Sequence, residues 1–253
     1  MTQFLLVHGA FHGAWCWRKT VAELEKRGHR AKAIDLPGQG EDRTPLKEVT
    51  LDTMVDRIIA EIADLPGKVV MVGHSLGGIP ITAMGERVPD RIKALVYLSA
   101  FLPRDGEALL DIEGRNPKPV VPVSMTFDAE HISGTIMPDK VREIFYHDCS
   151  EADIADAKAR LRPQALAALM AKVHVTPERF GRIPRVYVEC TEDRALSIEM
   201  QRDMIAKSPP VDVRSLPQAI LRFCRCLTSL RMRWQICENV IPPMVAWAPE
   251  LNQ

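Results

Sequence analysis

Gly73-His74-Ser75-Leu76-Gly77 is the segment whose residue types and spacing best suit chemistry. A serine two residues from a glycine on each side can occupy a tight turn between a strand and a helix. Its hydroxyl oxygen then stands above the sheet edge as a nucleophile. The apolar run before it and the helix-like run after it supply that context. A helix opening at Leu76 would aim its amide dipoles at the serine oxygen and stabilise negative charge there. The pattern alone is common and also arises as a chance glycine-rich turn, so the flanking elements carry the reading. His74 faces away from Ser75 in such a turn, which makes it a structural residue.

Acyl transfer at a serine needs further groups. Two backbone N–H donors must converge on the developing oxyanion. Leu76 supplies one candidate. Ala10, in His8-Gly9-Ala10 just after the first apolar run, supplies the other. A plain strand-ending turn is the competing reading of that loop. A carboxylate must orient the general base. Asp193, in Cys190-Thr191-Glu192-Asp193 after a late strand, fits the chain order serine, acid, histidine. Catalytic groups collect at the carboxyl ends of such strands. Glu192 competes for the role, and an isolated loop acid is more often simply solvated.

These residues need a scaffold, and the sequence describes one. Strand-like runs at 4–7, 30–35, 68–72 and 93–98 alternate with helix-like runs at 14–27, 51–65 and 76–87. That rhythm predicts an α/β fold, a mostly parallel sheet with helices on both faces. It stops at about 103 and resumes with a strand at 185–190, a helix at 198–207 and a strand at 211–216. The interval 103–180 holds helical patches at 138–146 and 151–173 and no convincing sheet strand, so it reads as an inserted helical cap. The expected organisation is a core of 1–102 and 181–217, a cap of 103–180 and an atypical tail of 218–253.

Length and composition agree with one soluble α/β domain: 253 residues, 46% hydrophobic and 26% charged. Lys+Arg and Asp+Glu are 33 each, so no excess charge favours nucleic acid or an anionic membrane. Apolar runs are too short to span a bilayer. The start of the chain has no signal-peptide pattern, which predicts a cytoplasmic protein. Six cysteines show no metal-type spacing apart from Cys224-x-Cys226, which is too close for an ordinary zinc knuckle. Free thiols and no cofactor are expected. The oligomeric state stays open.

Beyond the elbow, several segments resemble one group of proteins: the stretch from His8 through Trp17, Gly28-His29, Asp35-Leu36-Pro37-Gly38, the elbow with Gly78, and Tyr187 through Asp193. Together with Phe145 through Ser150 they are similar to the plant methylesterase and hydroxynitrile lyase branch of the α/β-hydrolases and its bacterial esterase relatives. The resemblance covers 2 to about 217. It implies the α/β-hydrolase fold, Ser75 as nucleophile, Asp193 as triad acid, Ala10 and Leu76 as oxyanion donors, small carboxylic esters as substrates and no cofactor. The lyases of this branch carry a lysine beside the catalytic histidine. Nothing here matches it, which favours ester hydrolysis.

The triad histidine itself is missing. The seven histidines are His8, His12, His29, His74, His131, His147 and His174, and none follows Asp193. In the group this chain resembles, the base follows the last strand in a Gly-His turn. Here the chain continues Gln218-Ala219-Ile220-Leu221-Arg222-Phe223. The tail holds four Arg, three of the six Cys and two of the four Trp, with no Lys, Asp, Gly or His. Those six residues can be encoded CAG-GCC-ATT-CTC-CGT-TTC, which two bases later reads Gly-His-Ser-Pro-Phe. The same frame continues as a sensible turn and helix through Cys237, past the single codons of Met232 and Trp234. One lost base near the Pro217/Gln218 boundary would produce the tail as written. The expectation is an off-frame tail that packs poorly.

Two functions compete on this reading. One is a serine esterase impaired by loss of its base, a loss that costs on the order of a million-fold in kcat in another serine hydrolase. The other is a non-catalytic small-molecule binder. His131, His147 or His174 in the cap would have to reach Ser75 to restore a base, and each also reads as a surface or packing residue.

Overall fold

A computed structural model describes residues 1–217. The expectations about 218–253 lie outside the described residues. In chain order the elements are β1 (Gln3–Val7), α1 (Arg18–Lys26), β2 (Arg30–Ile34), α2 (Leu51–Ile62), β3 (Val69–Ser75), α3 (Gly78–Arg87), β4 (Ile92–Ala100), α4 (Leu109–Glu113), β5 (Met125–Phe127), β6 (Ser133–Ile136), α5 (Val141–Phe145), α6 (Glu151–Arg160), β7 (Gln164–Ala165), α7 (Ala167–Met170), β8 (Arg185–Cys190), α8 (Ile198–Lys207) and β9 (Asp212–Leu216).

Six strands form a parallel sheet in the order β2-β1-β3-β4-β8-β9. The inner strands are apolar on both faces because both faces are covered. Alternate side chains enter two separate layers. Leu5, Val7, Met71, Leu95 and Tyr97 face the layer holding Ile58 of α2, Ile81 of α3 and Met204 of α8. Phe4, Leu6, Val70, Val72 and Val96 face the layer holding Leu24 of α1. The edge strands tolerate Arg30, Lys32 and Arg214 because these residues are exposed.

Local signals explain the element ends. Thr50 caps α2 by accepting from the Thr53 N–H, and Thr53 reciprocates on the Thr50 N–H. Met54, Val55, Ile58 and Ile62 then fall on one buried stripe. Truncating fully buried Ile58 to alanine would cost roughly 2–5 kcal/mol.

Two boundaries differ from the sequence reading in ways that bear on the site. Strand β3 runs on through Ser75, and α3 begins at Gly78 rather than Leu76. Leu76 and Gly77 form the turn between them, closed by the Gly77 N–H donating to the His74 carbonyl at 2.7 Å. The interval 103–180 also holds strands, contrary to expectation: β5, β6 and β7 form a separate antiparallel sheet. They are three, four and two residues long, too short to display a period. The helical patch at 151–173 divides into α6, β7 and α7. A bridge between Glu107 and Val173 joins the two ends of the interval.

No helix among the described residues is long and apolar enough to cross a membrane. No group of three or more His, Cys, Asp or Glu among them could hold a metal.

Candidate active site

Ser75 is the last residue of β3, a central strand flanked by β1 and β4. Its φ is 50°, a left-handed conformation that costs a non-glycine residue about 1–3 kcal/mol and persists only under constraint. The turn at Gly77 supplies one constraint. The Phe101 N–H donating to the Ser75 carbonyl at 3.0 Å supplies another. Glycine is needed at two positions for close approach. A Cβ on Gly77 would lie 2.7 Å from the Val7 carbonyl oxygen, and one on Gly9 would lie 2.8 Å from Ser75 Cβ. The loop after β1 can therefore press directly against the serine. Ser75 Oγ takes no hydrogen bond among the described residues.

The N–H groups of Ala10 and Leu76 donate to no other group among the described residues. Both residues line the cavity that Ser75 lines. The loop carrying Ala10 is held by its neighbours. His12 Nδ1 lies 2.7 Å from the Ala10 carbonyl, and His12 Nε2 lies 2.8 Å from Tyr146 Oη. A carbonyl only accepts, so Nδ1 carries the proton and Nε2 accepts from the tyrosine hydroxyl. Phe11, with φ 67°, accepts at its carbonyl from the Arg162 N–H at 3.0 Å. Tyr146 and Arg162 both belong to the 103–180 interval, so that interval grips the loop from outside.

Asp193 follows β8 and is buried. One carboxylate oxygen accepts from the N–H groups of Ala195 and Leu196 at 2.8 and 3.1 Å. The other accepts from Ser99 Oγ at 2.6 Å. Ser99 had no role in the sequence reading. It sits in a register shift between β3 and β4, where Ser75 pairs with Ala100 and the bulge gives Ser99 a φ of 39°. Bulges re-aim side chains, and this one turns a hydroxyl onto Asp193. The one mark of Ser99 in the sequence, a serine near the carboxyl end of β4, does not set it apart, because the role depends on the bulge. Burial pushes the Asp193 carboxyl up to about 6 against the pull of its three donors, and no ion pair offsets it among the described residues. Glu192, the competing acid, is exposed.

The histidines do not complete a triad among the described residues. His74 is buried and lines the cavity, with burial holding its pKa well below the ordinary value and no partner at Nδ1. His8 accepts from the Leu36 N–H at Nε2 and donates from Nδ1 to the Gly9 carbonyl. His147 lines a separate, more open pocket that Asp193 also borders. His131 and His174 are exposed.

The cavity has a volume of about 220 Å³. Ala10, His12, His74, Ser75, Leu76 and Asp193 line it from the sheet side. Leu109, Met125, Phe127, Phe145 and Leu169 line it from 103–180, with one acid, Glu113, among them. The structure thus brings Ser75, Asp193, Ala10 and Leu76 to one cavity.

A family model described as the alpha/beta hydrolase family matches residues 4–219, most of the chain. This chain belongs to the α/β-hydrolase family. As an α/β-hydrolase it is similar to methylesterase 10 of Arabidopsis thaliana, 34% identical over 230 residues, 85% of this chain and 84% of that protein. It is also similar to putative methylesterase 14, chloroplastic, of the same plant, 32% identical over 232 residues. That match spans 83% of this chain and 64% of the relative, just under two thirds of its length. Among solved structures, a pyrethroid hydrolase from Sphingobium faniae JZ-2 superposes with a TM-score of 0.83 at 26% identity, covering 98% of each chain.

Proposed function

We propose that this α/β-hydrolase acts on small carboxylic esters through an acyl-enzyme at Ser75, and that the chain as written does so slowly for want of a general base. Ser75 Oγ attacks the ester carbonyl, and the N–H groups of Ala10 and Leu76 receive the oxyanion. A histidine between Ser75 and Asp193 would take the serine proton, pass it to the leaving alcohol and then activate water to release the acid. A tail read in the frame that the back-translation allows would supply such a histidine. The observation that carries this reading is the placement of two unengaged backbone donors beside a strained serine in one cavity. The cavity is smaller than the roughly 300–1,000 Å³ typical of drug-sized ligands, in keeping with a small ester. Residues 103–180 act as the cap over it. The esterase names of the relatives support the same class.

Asp193 supports the triad reading in energetic terms. A buried carboxylate with three donors and no cation is incomplete, and an imidazolium beside it would supply the missing charge.

A second reading, a non-catalytic small-molecule binder, is favoured by one observation. Among the described residues no histidine hydrogen-bonds Ser75. Covalent trapping separates the two. Without a base, both acylation and deacylation slow, so prolonged incubation with p-nitrophenyl acetate should leave an acetyl group on the Ser75 peptide. Mass spectrometry should find it at Ser75 above the general labelling of surface lysines. Acetylation confined to lysines would favour the binder.

A further inference from the structure

We infer that Glu113 selects the ligand of this cavity by accepting a hydrogen bond from a hydroxyl group carried on the ester, away from the reacting carbonyl. The inference rests on the proposed ester-binding role of the Ser75 cavity and deepens it.

Glu113 closes α4 and is only 8% exposed, yet it lines the cavity. The other residues that line the cavity between 101 and 170 are apolar, among them Leu109 and Leu110 on the same helix, Phe101 and Met125. A carboxyl group is expensive to bury without partners, and buried polar groups in folded proteins are nearly always satisfied. Glu113 has one. Asn116 Nδ2 donates to Oε1 at 2.9 Å. Asn116 is itself buried and oriented, because its Oδ1 accepts from the Lys118 N–H at 3.0 Å. That contact fixes which end of the amide meets the acid. Oε2 accepts no hydrogen bond and Glu113 forms no ion pair among the described residues. Burial accordingly holds its pKa above the ordinary range.

A glutamate kept for stability would have both oxygens satisfied, or would be replaced at no loss by an apolar residue. A glutamate kept for solubility would be exposed. Glu113 is neither. One oxygen is anchored by an oriented amide, the other accepts no hydrogen bond among the described residues, and the residue lines a cavity large enough for a small ligand. A hydroxyl group matches it in either protonation state, because a hydroxyl both donates and accepts. Sites that hold such a buried polar group discriminate against analogues lacking the hydroxyl, since the protein group is then left unpaired.

The test is calorimetric titration of the full chain with methyl phenylacetate and with its 2-, 3- and 4-hydroxy isomers. At least one isomer should bind about tenfold more tightly than the parent. Glu113→Gln, which keeps a polar partner, should retain most of that preference. Glu113→Leu should abolish it while binding the parent ester at least as well as the original chain. The proposal is overturned if no isomer gains more than about threefold, if the preference survives in Glu113→Leu, or if no ester binds. Binding and acylation are read separately. A hydroxyl preference without any acetyl-Ser75 would sink the hydrolase reading and leave this one standing.

Discussion

Three donors hold Asp193, and none of them carries a full charge. The pH dependence of this site follows from that. Its carboxyl titrates at about 6 in the folded chain against 3.8 as the ordinary value. Below about pH 4 it is protonated whether folded or not and contributes nothing. As pH rises from 4 to 6 the unfolded chain ionises first, so the folded state loses stability. Above 6 the loss is complete, about 3 kcal/mol at most by linkage. Asp193→Asn removes the titration while keeping the shape. Its melting temperature should exceed that of the parent chain by several degrees at pH 7.5, and the advantage should shrink toward pH 4. A difference that stays flat across that range would show that Asp193 is not held in this way. Ser75, Ala10, Leu76 and Asp193 could be picked out as candidates because each sits at a strand end marked by local pattern. Ser99 and Glu113 could not. Their roles depend on a register shift and on a helix turned inward, which no local spacing encodes.

At the scale of elements, the interval 103–180, proposed as the cap, does more than line the pocket. Tyr146 and Arg162 hold the loop that carries Ala10, through His12 Nε2 and the Phe11 carbonyl. Tyr146→Phe leaves the buried His12 nitrogen without that donor and should cost about 1 kcal/mol of stability. In a chain with a working base it should also lower kcat by roughly tenfold or more with a smaller change in KM, because misplacing the proposed oxyanion donor Ala10 weakens the transition state more than the bound substrate. Steady-state kinetics on a small ester would read this. An equal change in both parameters would assign Tyr146 to substrate binding instead. The alternation of strands and helices in the core was legible because buried parallel strands are continuous apolar runs. The cap sheet was not, since strands of two to four residues carry no period. The start of α3 was misplaced by two residues because Leu76 is a good helix former that the turn uses instead.

At the scale of the whole molecule, the described sheet ends at β9, where an α/β-hydrolase with a complete triad would next present its base. Residues 1–217 bring Ser75, Ala10, Leu76 and Asp193, the proposed nucleophile, oxyanion donors and acid, to one cavity. The sequence past Pro217 supplies no histidine. With the codons that the back-translation allows, one base inserted near codon 218 would restore Gly-His at that point, with a turn and helix after it. The comparison that tests the account most directly is the rate of p-nitrophenyl acetate hydrolysis by the chain as written, the frame-restored chain and the frame-restored chain with Ser75→Ala. The account predicts near-background turnover for the first, a rate higher by several orders of magnitude for the second, and loss of that gain in the third. Ordinary enzymatic turnover by the chain as written, or a frame-restored chain no faster than background, would contradict it.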